Sequence, residues 1–239
     1  MAPMFSAKAA AFSMNPTADA FTTPGASGNL ANNNYGGTGS IAVAAPGLAQ
    51  GEFQSVLQFD LGPAVSSFNS TFGVGQWSIQ SVSLQLTAAS GGNPIFNPSA
   101  AGTIGFSWMQ NDSWIEGTGT PNVPSTTGIT YSTLQSTFIS PGDESLGAFS
   151  FGGGTSGNNT FLLGLAPGFD ADVAAGGPVS IRMFGADSSV SGVFSSRSFG
   201  TVASRPVLTI QAVPEPSTMG LLGLGIFAVA YGAARSKKG

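Results

Sequence analysis

Apolar and polar residues alternate along several short stretches of the chain, and clusters of turn-forming residues separate these stretches. In the segment FQSVLQFDL, Phe53, Leu57 and Phe59 fall on one face of a strand, and Gln54 and Gln58 fall on the other. This period of two residues predicts half-buried β-strands. Similar alternation occurs in WSIQSVSLQLT, GTIGFSWM, PVSIRMF and RPVLTIQAV. We therefore predict an all-β fold, an antiparallel β-sandwich or jelly roll.

Two local features modify this pattern. In WSIQSVSLQLT the apolar positions change phase between Ile79 and Val82, which predicts a β-bulge or a bend. Before the C-terminal tail no stretch combines a sustained helical period with caps, and only residues 168–176 (GFDADVAAG) are predicted to form a short helical turn.

The C-terminal tail has a different pattern from the rest of the chain. Residues 218–234 (TMGLLGLGIFAVAYGAA) carry no charge, and Arg235, Lys237 and Lys238 follow them. As a helix this run would be roughly 26 Å long, slightly shorter than a bilayer core of about 30 Å. We predict one transmembrane helix at about 218–234 with its basic end in the cytoplasm and the body exported. A buried core helix is the alternative, because short apolar runs are ambiguous.

The parts of the tail, taken in order, resemble a known sorting signal. Val213, Pro214, Glu215 and Pro216 lead into the apolar run, and the basic residues end it. A Pro-Glu-Pro triplet, an apolar span and a basic end resemble the PEP-CTERM sorting signal of Gram-negative bacteria that make extracellular polysaccharide. The resemblance covers residues 213–238. It implies recognition of the triplet by an exosortase-type processing enzyme and a place in the cell envelope or outside the cell.

Composition limits the chemistry that the body, residues 1–212, can perform. The body has four cations against ten carboxylates, a net charge of −6, so nucleic acids are a poor match as partners. The chain has neither histidine nor cysteine, which excludes a Ser-His-Asp triad, thiolate nucleophiles, disulfides and cysteine-ligated zinc. Carboxylate, lysine or tyrosine chemistry and a calcium site remain.

The order of segments in the body is similar to that of a second family. The segment that starts at Asp19, residues 27–37 (SGNLANNNYGG), Trp114–Thr118 and Ser195–Pro206 follow one another as in the DNRLRE-type domain. That domain is a jelly roll related to carbohydrate-binding modules of bacterial surface proteins. The resemblance spans about 19–212. Gln58 and Ser198 depart from it, since the family often has an arginine and an acidic residue there.

These resemblances divide the chain into three predicted parts. Residues 1–18 contain one lysine and no apolar stretch of the length that a secretory signal needs. We expect the export signal to be absent or truncated here, with the true start upstream or the N terminus already processed. Residues 19–212 form the predicted β-sandwich, and residues 213–239 form the sorting tail.

Aromatic residues of the body supply the candidate carbohydrate contacts. Trp114 lies in the polar segment NDSWIEGTGT, and Tyr131 follows in GITYSTL. Aromatic side chains can stack on sugar rings, but a loop tryptophan can equally close one end of a sandwich. Trp108 is in phase with Ile104 and Phe106, which favours a place in the core.

Asp170 and Asp172 are the candidate calcium ligands, since calcium prefers carboxylate and carbonyl oxygens. Asp143 and Glu144 offer a second acidic pair beside a turn. No D-x-D-x-D-G loop is present, so we favour solvated surface carboxylates and expect no other cofactor.

Asp112 and Glu116 are the carboxylate pair that a glycosidase would need, but their closeness in sequence places both on one loop. For Arg182, Arg197 and Arg205 we expect pairing with carboxylates such as Asp60 or Glu116. We therefore expect a non-catalytic exported protein of the cell surface or extracellular matrix. A carbohydrate-binding module for an extracellular polysaccharide is the alternative, and a glycan-active enzyme is a third hypothesis.

Overall fold

A computed structural model describes residues 8–90 and 99–215 of the protein. The predicted tail helix at 218–234, the basic residues after it and Pro216 lie outside this part of the chain. The strands of the described part are β1 (Ala10–Met14), β2 (Ala18–Thr22), β3 (Ser40–Ala44), β4 (Gln54–Asp60), β5 (Trp77–Thr87), β6 (Gly102–Met109), β7 (Glu144–Phe151), β8 (Asn158–Leu163), β9 (Pro178–Gly185), β10 (Ser191–Ser195) and β11 (Val207–Pro214). Its helices are α1 (Gly62–Phe72), α2 (Tyr131–Thr133), a π-helical turn that continues α2 (Leu134–Phe138), α3 (Pro167–Ala175) and a 3₁₀ turn (Val202–Ser204).

The strands form two larger sheets and one two-stranded ribbon. One sheet has the order β1-β11-β5-β8, the other has the order β2-β4-β9-β6-β7, and the ribbon pairs β10 with β3. Every pairing between these strands is antiparallel. This mostly β, antiparallel architecture agrees with the predicted sandwich.

The apolar residues of both larger sheets share one core. Leu57 and Phe59 of β4 lie in the same buried cluster as Leu84 of β5, Phe106 of β6 and Ile210 of β11. Trp108 belongs to this cluster too, as its phase in the sequence predicted. Because the two sheets face each other across these side chains, the period-two pattern reflects burial on one face of each strand.

The predicted bulge lies between β5 and β11. Gln211 pairs with Ser81, but the next residue, Ala212, pairs with Ile79, so Gln80 is the extra residue. One inserted residue returns Ile79 to the core face, which explains the change of phase in the sequence.

Several elements differ from the sequence-based predictions. Helix α1 was not predicted; Pro63 stands in its first turn, and Ala64 and Phe68, four residues apart, are its buried positions. Two buried positions are too few for a sustained helical period, although proline in the first turn is a recognised start signal. Helix α3 is longer than the predicted single turn. Strand β1 pairs with β11, so the sheet begins at Ala10, before the predicted domain start at residue 19.

Within residues 8–90 and 99–215, no helix combines the length and the apolar character that crossing a bilayer requires.

Candidate functional site

Three segments that lie far apart in the sequence meet at Asp19, Glu116 and Arg197, which we call the Arg197 cluster. The Arg197 guanidinium donates to both oxygens of Glu116, with Nε 2.8 Å from Oε1. The backbone N–H of Arg197 donates to Asp19 Oδ2 at 2.6 Å, and the backbone N–H of Asp19 donates to Glu116 Oε1 at 3.2 Å. Arg182, Arg197 and Arg205 were expected to pair with carboxylates, and Arg197 does so with Glu116. This bidentate bond fixes the 114–118 loop against the segment after β10.

The other two arginines have different partners. Arg182 Nε donates to Ser107 Oγ at 3.2 Å, and its guanidinium lies 4.6 Å from the ring centre of Phe184. Arg205 Nε donates to the carbonyl oxygen of Phe199 at 3.0 Å. Both arginines thus hold neighbouring segments together, and neither repeats the bidentate arrangement of Arg197.

Asp19 is only 1% exposed, so its carboxyl group is buried, unlike that of an ordinary surface aspartate. Burial raises the pKa of its carboxyl from 3.8 to about 7. The hydrogen bond from the Arg197 backbone opposes this rise, and the negative charge of Glu116 adds to it. Asp19 therefore takes up a proton in the folded protein at a pH at which the unfolded chain has released it.

Asp19 gives the protein a pH-dependent stability that we expect to measure. Between about pH 4 and pH 7 the folded state binds one more proton at Asp19 than the unfolded state. The free energy of unfolding should therefore fall as pH rises through this window, by up to about 1.4 kcal/mol per unit, and level off above it. The difference between wild type and Asp19→Asn, followed by urea unfolding from pH 4 to pH 8, isolates this contribution. Asp60→Asn, on the exposed end of β4, is the matched control, and an equal pH dependence in wild type and Asp19→Asn would contradict the assignment.

Asn34 holds the loops beside the Arg197 cluster. It is fully buried, and its Nδ2 donates to the carbonyl oxygens of Glu116 and Ile129, each at 2.7 Å. Its Oδ1 accepts from the N–H groups of Gly36 at 3.2 Å and Gly119 at 3.0 Å. Sequence analysis missed this residue, because its Asn- and Gly-rich segment was interpreted only as one part of the DNRLRE-type resemblance. The available signal was the repeated glycine of GTGT, which permits close approach.

Glycines let the loops approach Asn34 closely. A Cβ on Gly119 would collide with the carbonyl oxygen of Asn34, and a Cβ on Gly36 would collide with that of Glu116. Because each clash is with a backbone oxygen, it could not be relieved by the movement of a side chain. The loop conformation at this end of the sandwich is therefore specified by backbone packing.

Trp114, a candidate carbohydrate contact, is 4% exposed. It belongs to a small buried cluster with Val56, Met109 and Leu134, and its Nε1 donates to Ser180 Oγ at 2.8 Å. A sugar ring would find no exposed indole face in this conformation. The position favours the alternative that Trp114 closes one end of the sandwich.

Tyr131, the other candidate contact, is half-buried at the start of α2. Its hydroxyl donates to Glu52 Oε2 at 2.7 Å. Burial and this hydrogen bond raise the pKa of Tyr131 to about 12, so the phenol is not poised as a base at neutral pH. The structure does not bring Tyr131 and Trp114 together as one stacking platform.

The candidate calcium ligands both lie on α3. Asp172 Oδ2 accepts a hydrogen bond from Trp108 Nε1 at 2.7 Å. The pKa of Asp170 is raised mainly by burial and, to a smaller extent, by the negative charge of Glu144. Asp143 accepts backbone N–H groups from Gln110 and Ser140. In the described part of the chain no three acidic residues are grouped so that they could hold a metal ion.

A groove of about 480 Å³ lies on the surface beside the Arg197 cluster. The ring of Phe199, two residues after Arg197, is half-buried in its wall. The polar side chains of its lining are hydroxyls and one amide, from Thr38, Ser40, Ser90, Thr120, Asn122 and Ser198. An uncharged surface of this kind, with one aromatic ring, has the chemistry of a saccharide-binding groove.

The end of β11 carries the first residues of the predicted sorting motif. Val213 pairs with Ser78 and Pro214 pairs with Trp77, at the start of β5. The N–H of Glu215 donates to the carbonyl oxygen of Gln76 at 3.0 Å. The tail therefore leaves the body from a strand that is bonded on both sides along most of its length, to β1 and to β5.

Residues 212–238 match the PEP-CTERM protein-sorting motif. The match covers the tail that sequence analysis predicted, and it begins one residue earlier, at the last core residue of β11. It supports an extracellular or cell-surface protein that an exosortase processes. None of the curated proteins compared with the chain matches it.

Proposed function

We propose that this chain is a non-catalytic protein of the cell surface or extracellular matrix, held in the membrane by its tail until an exosortase-type enzyme processes it. The observation that carries this proposal is the PEP-CTERM motif at 212–238, joined without a linker to the last strand of the sandwich. In this proposal the three-part tail is the sorting signal, and the body is the folded domain that the signal directs to the cell surface.

The attachment point suits a load-bearing tail. Strand β11 runs between β1 and β5, and its alternate residues, such as Leu208 and Ile210, lie in the core. A pull on the tail would act on a strand held by hydrogen bonds on two sides, which resists detachment better than an edge strand. This favours a body that remains folded while its tail is anchored or attached.

The surroundings of Glu116, one of the two candidate catalytic carboxylates, support a non-catalytic role. Both carboxylate oxygens of Glu116 accept from the Arg197 guanidinium. A carboxylate whose two oxygens both accept from a guanidinium is engaged in holding the loop and is not free to approach a substrate. Burial raises the pKa of half-buried Asp112, its proposed partner in a glycosidase pair; a raised pKa alone would suit a proton donor, but Glu116 is not available as the second group.

A DNRLRE-type architecture for the body belongs to the same proposal. The four segments that carry the resemblance meet at one end of the sandwich through Asp19, Asn34, Glu116 and Arg197. Gln58, at a position where the family often has arginine, donates instead to the carbonyl oxygen of Asp112 at 2.7 Å. An uncharged side chain thus supports the 110–114 loop from β4.

Transfer of the tail to another protein tests the sorting proposal. Residues 212–239 fused to the C terminus of an unrelated exported reporter should bring about processing and surface delivery in a host with an exosortase-type enzyme. The matched control carries alanine at Pro214, Glu215 and Pro216, and it should remain unprocessed. Equal processing of both fusions, or of neither, would count against recognition of this motif.

The groove beside Phe199 favours one alternative function, binding of an extracellular polysaccharide. Hydroxyl and amide groups can replace the water around a saccharide, and Phe199 can pack against an apolar ring face. The body's net charge of −6 suits a neutral or cationic polymer better than a strongly anionic one.

Affinity electrophoresis in the host's own extracellular polysaccharide tests this alternative. Wild type should be retarded, and Asn122→Ala and Phe199→Leu should each weaken the retardation by about threefold or more, since each lost contact is worth on the order of 1 kcal/mol. Asn32→Ala, an exposed asparagine outside the groove lining, is the matched control. Unretarded wild type would leave the structural role as the better proposal.

A further inference from the structure

The end of the body and the start of the sorting motif are one piece of β-sheet. Val213 and Pro214 still pair with β5, at Ser78 and Trp77. The N–H of Glu215 is bonded to the carbonyl oxygen of Gln76. Two of the three residues of the Pro-Glu-Pro triplet thus belong structurally to the folded body.

The strand that holds these residues is itself fixed. Trp77 Nε1 donates to Asn69 Oδ1 at 2.8 Å, and its ring lies 5.1 Å from that of Phe68, centre to centre. Phe68 is fully buried in α1. Helix α1 therefore clamps the start of β5, and through it the last residues of β11.

Enzymes that cleave peptides bind the substrate backbone in an extended form, using the N–H and C=O groups that a β-sheet partner would otherwise occupy. Up to Glu215 those groups on one side of the chain are taken by β5. A cut before Pro214 would require the enzyme to open this part of the sheet. The geometry points to cleavage on the C-terminal side of Glu215, so that the mature body keeps Pro214 and Glu215.

This inference rests on the proposed processing by an exosortase-type enzyme. The bond that breaks is a peptide C–N bond after Glu215. Its carbonyl carbon passes to the oxygen of water or to the nitrogen of an amine acceptor, and the released tail gains a proton on its new amino group. Water and an amine add different masses to the new C terminus, so the mass of the processed body shows which of them was the acceptor.

The exposed side chain of Glu215 fits this arrangement. Its backbone N–H is bonded to β5, yet the residue as a whole is exposed to solvent. Pro214 has no N–H, and it lies beyond the last residue of β11 that pairs with β1, so no ladder bond is lost there. The processing enzyme can thus contact the triplet while the sheet stays closed.

Mass spectrometry of the mature protein from the native host tests the cleavage position. A C-terminal peptide that retains Pro214 and Glu215 and ends before Gly239 is the expected result. A mature end at Val213 or earlier would overturn the inference while leaving exosortase sorting intact. A chain that ends at Gly239 in every cell fraction would overturn the sorting proposal and the inference with it.

A proline-specific endopeptidase tests the physical basis without the processing enzyme. In the folded full chain the Pro214–Glu215 bond should be cut about tenfold more slowly than in the same chain unfolded in urea, because a sheet-held bond is cut only after local opening. The Pro216–Ser217 bond, two residues further along, is the internal control. Its cleavage rate should differ much less between the folded and the unfolded chain. Equal rates at Pro214–Glu215 in folded and unfolded chain would overturn the inference.

Discussion

Replacement of Trp114 by alanine should destabilise the folded protein by about 3–5 kcal/mol, the loss that is usual for a buried tryptophan. The side chain is 4% exposed and packs with Val56, Met109 and Leu134. The substitution leaves a cavity and removes the donor that bonds Ser180. Since small domains are stable by only about 5–15 kcal/mol, the midpoint of urea unfolding should fall sharply. Tryptophan fluorescence and circular dichroism would measure it.

Trp114→Phe separates packing from hydrogen bonding. Phenylalanine keeps much of the buried apolar area and loses the N–H, so we expect a smaller loss of about 1–2 kcal/mol. A loss of less than about 1 kcal/mol for Trp114→Ala would contradict the buried position. If Trp114→Ala weakens polysaccharide binding, unfolding is the first explanation, so substitutions in the Phe199 groove are the better probes of a ligand.

Replacement of Asn34 by alanine should cost about 3 kcal/mol or more. The change removes two donated and two accepted hydrogen bonds and leaves the carbonyl oxygens of Glu116 and Ile129 buried without these donors. Each such orphaned buried group costs about 1–3 kcal/mol. Urea unfolding measures the loss, and the loops around the Phe199 groove should become more open to proteolysis.

Two matched variants sharpen the Asn34 prediction. Asn34→Asp preserves the size of the side chain but turns its donor into an oxygen that faces two carbonyl oxygens, so it should be nearly as damaging as alanine. Asn32→Ala, two residues away and exposed, should change stability by less than about 0.5 kcal/mol. Similar stability of Asn34→Ala and Asn32→Ala would contradict the role of Asn34.

The strands of the sandwich were predictable because burial on one face leaves a period of two in the sequence. The pattern even located the bulge at Gln80, since an extra residue shifts the phase of everything after it. Helix α1 was not predicted because Ala64 and Phe68 are its only fully buried positions, and most of its other residues are small or polar. Strand β1 was not predicted because it alternates only weakly and lies within residues 1–18, which were interpreted only as a segment that precedes the domain.

The candidate site was less predictable, because its contacts join residues that lie far apart in the chain. An ion pair between Arg197 and Glu116, 81 residues apart, was predictable as one of a few possibilities, because the body has only four cations. The burial of Asp19 and Asn34 left no local signal, since Asp19 is an acidic residue in a short strand and Asn34 is a polar residue in a Gly- and Asn-rich segment. Trp114 stands in a mostly polar segment, yet its side chain is buried. The polarity of a loop segment therefore does not indicate whether the loop buries its tryptophan.

The tail was predictable for the opposite reason. A sorting motif is recognised as a linear order of chemical types, a triplet, an apolar run and a basic end, so it needs no folded context to be identified. What the sequence did not indicate is that Pro214 belongs to strand β11 and that the N–H of Glu215 bonds to the carbonyl oxygen of Gln76. That overlap follows from pairing with β5, which is separated from them by more than half of the chain.

Comparison of the native host with a strain that lacks its exosortase-type enzyme tests the proposed sorting most directly. In the parent strain the body should be recovered at the surface or in the medium, without residues 218–238. In the deletion strain the chain should keep its whole tail and accumulate in the membrane fraction. The same C terminus and the same location in both strains would contradict exosortase sorting.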